Sequence, residues 1–206
     1  RVIAQLCKDN PERVAPWLSD QRWYVVRNVV HILGWIGGPN IVGLLSAASR
    51  HTEPRVRQEV VAALAQAGTP ASRPLLLEML EGADSRIFCA ALHQLSGERD
   101  REIARRLLGF LQSPSFGERP VEECRGIYLA LASVGDDDVL PGLEIELHRA
   151  KWFSQSYEPH RQSVARCISR IGTARAREIL ELAARSKNPA IRKAVQDALV
   201  GGTGHE

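Results

Sequence analysis

Three groups of residues in this 206-residue sequence have types and spacings that could do chemistry. The first is Asp136-Asp137-Asp138, a run of carboxylates of the kind that can hold a cation. Because it follows Gly135 and precedes Val139-Leu140, helix capping and a favourable place at the positive end of a helix dipole explain it more simply. The second is Arg166 and Arg170, four residues apart with Arg161 nearby, a pair that could clamp a carboxylate or phosphate or could form a solvated helix face. The third is aromatic: Phe116, Trp152, Phe153 and Tyr157 are four of the eleven aromatic residues, and the Trp152-Phe153 pair beside Lys151 and Arg149 could hold a peptide.

Metal and covalent chemistry find no such grouping. Cys7, Cys89, Cys124 and Cys167 are far apart and form no C-x-x-C pair, which suits buried thiols in a reducing cytoplasm. The six histidines make neither H-x-x-x-H nor H-E-x-x-H, and no P-loop, G-x-S-x-G or G-x-G-x-x-G occurs. The expectation is a cytoplasmic protein that is not an enzyme, with no cofactor and no metal.

The elements that must carry these residues can be read from periodicity. A 44% hydrophobic and 25% charged composition is ordinary for a folded domain, and its Leu, Ala, Val and Ile suit packed helices. The net charge of +3 is too small to mark a nucleic-acid binder, although its distribution is uneven. Residues 118–146 carry eight acids against two arginines, a net of −6, whereas residues 149–193 carry eleven bases against three acids, a net of +8. Residues 29–49 lack charge altogether, but Gly37-Gly38-Pro39-Asn40 divides them into two short helices, so no membrane partner is expected. The chain opens on Arg1 inside an apolar-periodic segment, which reads as a fragment of a longer polypeptide.

Similar segments end at Gly37, Gly68, Gly97, Gly135, Gly172 and Gly201, with spacings of 31, 29, 38, 37 and 29 residues. Before Gly68, Val56, Val60, Ala63, Leu64 and Ala67 line one helical face; before Gly172 the same offsets hold His160, Val164, Cys167, Ile168 and Ile171. Each glycine is expected to close its helix in the left-handed conformation and to be followed by a second helix, at 40–50, 71–81, 100–112, 138–150 and 174–186. A two-helix unit cannot bury its apolar face alone, so the units must stack.

The stretch PRVRQEVVAALAQAGTPASRPLLLEML, echoed in RWYVVRNVVHILGWIGG and in SVARCISRIGTARAREILELAARSKNPAIRKAVQDAL, resembles the HEAT repeat in its bacterial, phycobilisome-lyase-type form. The resemblance implies an all-α, right-handed α-solenoid of about five to six hairpins over residues 1–200, with 201–206 a flexible tail. It also implies that an Arg early in a glycine-terminated helix supports hydrogen bonds between repeats. Arg27, Arg57 and Arg192 match that position, and Ile87-Phe88 departs from it.

In that geometry the helices that end at these glycines line the concave surface. The strip opposite their apolar face holds Asn28, His31 and Trp35, then Glu59, Ala62 and Gln66, later Gly126, Leu129 and Ser133, and finally Ser163, Arg166 and Arg170. Trp35 on this strip is a candidate anchor; packing against Trp17 or Trp23 is the other placement open to it. The two long spacings place the extra segments 113–120 and 151–159 on one edge, where their aromatics either meet a partner or fold back to fill the longer hairpins. The expected function is protein or peptide binding. The alternative is a nucleic-acid binder resembling the HEAT-like alkylpurine DNA glycosylases, for which Trp35, Arg166 and Arg170 are present but no Asp lies on the strip.

Overall fold

The computed structural model describes residues 2–82, 84–149 and 157–201. Among these residues the chain is all-α, with no strand. It divides into two compact units, Arg1–Leu95 and Ser96–Glu206.

The first unit contains α1 (Val2–Leu6), α2 (Trp23–Ile36), α3 (Asn40–Ser49), α4 (Pro54–Ala67), α5 (Ser72–Glu78) and α6 (Ser85–Leu95). Helices α2, α4 and α6 pack side by side in one layer, and α3 and α5 pack against them in a second. The second unit contains α7 (Arg101–Gln112), α8 (Val121–Val134), α9 (Leu140–His148), α10 (Tyr157–Ile171), α11 (Ala174–Ala184) and α12 (Pro189–Gly201). Here α8, α10 and α12 form the layer, with α7, α9 and α11 behind it.

Local chemistry explains the boundaries. Pro54 opens α4, where its missing N–H costs nothing, and the Glu53 carboxylate accepts from the Arg55 N–H. Asp100 caps α7 by accepting from the N–H groups of Glu102 and Ile103, and the Thr173 hydroxyl accepts from the Ala176 N–H at the start of α11. The predicted apolar face of α4 is its core face: Val56, Val60, Ala63 and Leu64 are buried, together with Val61. Each such Val or Leu contributes roughly 1.5–3 kcal/mol. Helices α2 and α3 are separated by Gly37 and Gly38, both at positive φ, and no helix among the described residues is long and apolar enough to cross a membrane.

The terminal glycines do not all act alike. Gly68 ends α4 in the left-handed conformation expected, at φ 60°. Gly135, by contrast, is extended at φ −73°, ψ 153°, and a Cβ there would stand 2.5 Å from the Leu131 carbonyl oxygen. Close approach, rather than handedness, requires glycine at this position.

The repeated arginine also corrects an expectation. Arg57 Nη1 donates to the carbonyls of His51 (2.7 Å) and Thr52 (2.9 Å), and Arg192 Nη1 donates to those of Ser186 (2.8 Å) and Lys187 (3.1 Å). These bonds close the loop between two consecutive helices, satisfying carbonyls of the loop itself. Arg57 alone of these two also reaches the next hairpin, at 3.5 Å from Asp84. Arg27 does neither: its guanidinium lies 5.9 Å from the Trp23 ring centroid and donates to Asn28.

Candidate functional site

On the α2–α4 layer the structure brings His31, Trp35 and Glu59 together. His31 Nδ1 lies 2.7 Å from Glu59 Oε1, tying two neighbouring hairpins, and the His31 ring lies against that of Trp35 with centroids 4.5 Å apart. Trp35 is 38% exposed, so one part of the ring is seated and the rest meets solvent. Asn28 and Gln66 are exposed on the same layer. The close packing that sets this spacing depends on Gly34, which faces Ala63 and the Gln66 side chain.

Sequence reasoning missed the aromatic and cationic cluster about two turns before His31. Trp23 and Tyr24 meet edge to face at 6.1 Å, and the Arg55 guanidinium from α4 lies 5.1 Å from the Trp23 centroid. Tyr24 is exposed. The four-residue spacing of Trp23 and Arg27 was the available signal. Just before α2, the Arg22 guanidinium, with a bond from the Arg22 backbone N–H, holds the Asp20 carboxyl at about 2. This shapes the entry to the helix rather than the face itself.

In the second unit the predicted strip splits. Ser133 is spent on structure: its hydroxyl donates to the Gly97 carbonyl and accepts from the Gly97 N–H, both at 3.0 Å. The Ser163 hydroxyl donates to the Pro159 carbonyl of its own helix. Arg166 and Arg170 are exposed. Arg161 does not join them, because it is only 6% exposed and donates to the carbonyls of Leu147 (3.1 Å) and Arg149 (3.2 Å), the hairpin-closing role of Arg57 and Arg192.

The insert edge is likewise corrected. Phe116 is 7% exposed, its ring packed edge-on against Tyr128 and His160, so it fills the longer hairpin and is not a surface contact. The Cys124 thiol donates to the Phe116 carbonyl at 3.6 Å, and burial raises its pKa. Trp152 and Phe153 lie outside the described residues, as does the side chain of Tyr157, which opens α10.

Behind Phe116 lies a buried polar network that the sequence did not announce. Tyr128 OH bonds His160 Nδ1, His160 Nε2 stands 3.5 Å from Glu146, and Arg149 stands 3.1 Å from the same carboxylate, which is 1% exposed. Arg119 pairs with Glu123 at 2.8 Å nearby. The signal was His160 itself, a polar residue at the offset that holds Val56 in the unit ending at Gly68. The three aspartates are also committed: Asp136 pairs with Arg99, Asp138 with Arg101, and Asp137 accepts from the Thr173 hydroxyl at 2.6 Å.

Residues 11–96 match the family model for HEAT repeats. Among solved structures, the complex of CpcE and CpcF of phycocyanin lyase from Nostoc sp. PCC7120 is similar at a TM-score of 0.54 and 19% identity, over 90% of this chain and 74% of that one. An engineered protein gives 0.49 at 17% identity over 93% and 95% of the two chains. A designed armadillo repeat protein gives 0.46 at 16% identity over 91% and 98%. At such identities the likeness to the lyase subunits shows the helical-repeat fold alone. No curated protein sequence matches the chain.

Proposed function

We propose that this chain, whose residues 11–96 are HEAT repeats, is a non-catalytic scaffold that binds a protein or peptide on its α2–α4 layer. One observation carries the reading: the part-exposed Trp35 ring is seated on His31, which Glu59 holds from the next hairpin. A large aromatic surface restrained in this way loses little side-chain entropy on binding, which is what a central anchor requires. Asn28 and Gln66, exposed on the same layer, supply neutral donors and acceptors for a polypeptide backbone. The nucleic-acid alternative is not favoured. The strip that carries Trp35 holds no Asp, and Glu59, the carboxylate on that strip, is engaged by His31.

The test is selection of peptides from a displayed library on the purified protein, followed by titration against wild type and Trp35→Ala. Loss of roughly 2 kcal/mol, or about thirtyfold in Kd, is expected for the variant. Selected peptides that bind Trp35→Ala as tightly as wild type would remove this face from consideration.

A further inference from the structure

We infer that the α8–α10 face of the second unit is a separate docking surface for an acidic peptide segment carrying an apolar side chain. Arg125 and Leu129 are one helical turn apart on α8, and Arg166 and Arg170 one turn apart on α10, which packs beside it. Leu129 stands six residues before Gly135 as Arg166 stands six before Gly172, so the two occupy equivalent positions on neighbouring helices. Leu129 is 44% exposed, and all three arginines are exposed.

The charges of this unit make the face distinctive. The acidic block of residues 118–146 was a candidate to neutralise the arginines that follow it, and the structure commits five of its eight acids elsewhere, Asp137 among them through the Thr173 hydroxyl. Glu123 is taken by Arg119, Asp136 by Arg99, Asp138 by Arg101, and Glu146 by Arg149 and His160. Asp197 on α12, the carboxylate presented to α10, accepts from Gln162. Among the described residues, no carboxylate stands within 4.0 Å of the Arg125, Arg166 or Arg170 guanidiniums, and Glu122, exposed one turn before Arg125, is not bonded to it. Three cations around an exposed leucine complement a segment with carboxylates flanking one apolar residue.

A peptide fits better than a nucleic acid because the excess charge is local. Residues 96–206 hold seventeen Lys and Arg against sixteen Asp and Glu, a net of +1. A phosphate backbone running beyond this face would meet as many acids as bases.

The surface extends the reading of the chain as a protein-binding array but uses different residues, so the two can fail separately. Fluorescence anisotropy with a fluorescein-labelled peptide of Glu-Glu-Leu repeats tests it on the full chain, with a Lys-Lys-Leu peptide and single-stranded DNA as the other arms. The acidic peptide is expected to bind and to weaken as salt rises. Arg166→Ala/Arg170→Ala should weaken it about tenfold and Leu129→Ala about threefold, while Trp35→Ala leaves it unchanged. Circular dichroism checks that these surface variants remain folded. No binding of the acidic peptide at low salt, an unaltered Kd in the double arginine variant, or tighter binding of DNA or of the basic peptide would overturn the proposal.

Discussion

Gly34 of α2 lies so close to Ala63 of α4 that a Cβ on residue 34 would stand 3.0 Å from both the Cα and the Cβ of Ala63. A glycine in the middle of a helix is costly, and Ala would ordinarily gain up to about 1 kcal/mol there. At this crossing the gain is outweighed, because the obstacle includes backbone and cannot be relieved by rotating a side chain. Gly34→Ala is expected to destabilise the protein by about 1 kcal/mol, read as a lower urea midpoint with an unchanged m-value. A raised midpoint would show that the two helices separate without cost.

The Glu146 carboxylate is buried beside Arg149 and His160. Removing it leaves cationic and polar partners with less compensation in a medium of low dielectric. Glu146→Ala should therefore cost about 3–5 kcal/mol in a denaturant titration. An effect below about 1 kcal/mol would mean that water reaches the network.

Arg57 forks two nitrogens between loop carbonyls and Asp84, and its stem is largely covered. Arg57→Ala should lose about 1.5–3 kcal/mol, in the range for hydrogen bonds to a charged group. Arg57→Lys should recover little, because an ammonium cannot reproduce the planar fork. Full rescue by Lys, measured by thermal unfolding, would show that only the charge matters.

Cys167 is buried, and loss of hydration pushes its thiol up to about 12. An unfolded cysteine titrates near ~8.5. Across the window from about 8.5 to about 12 the unfolded chain releases a proton that the folded chain keeps, so stability falls as pH rises. The drop in urea midpoint between pH 8 and pH 10.5 should accordingly be smaller in Cys167→Ala than in wild type. Native alkylation should also spare Cys167 and reach it only on unfolding.

The helices themselves were legible in the sequence. Periodicity placed α4 on Pro54 and ended it at Gly68, and it placed α7 within 100–112 and α11 from residue 174, because apolar spacing and left-handed glycines are local properties. The hairpin-closing role of Arg192 and Arg57 was partly legible, since the same residue recurs at the same offset. Trp35, His31 and Glu59 were also named from helical offsets, yet their joining across twenty-eight residues of sequence is a property of the α2–α4 crossing.

Only the tertiary structure decided which polar groups are spent and which remain. By sequence Arg161 is one more base beside Arg166 and Arg170, but packing of α9 on α10 buries it against two carbonyls. Phe116 reads as an exposed loop aromatic until the longer hairpin leaves a gap that its ring fills beside Tyr128 and His160. Asp136, Asp138 and Glu123 of the acidic block pair with Arg99, Arg101 and Arg119 rather than with the basic block that follows, and among the described residues Arg125, Arg166 and Arg170 are exposed cations of the α8–α10 face. Helix formation depends on neighbours within a turn or two, whereas burial and ion pairing depend on atoms dozens of residues away, and those distances exist only once the hairpins have stacked.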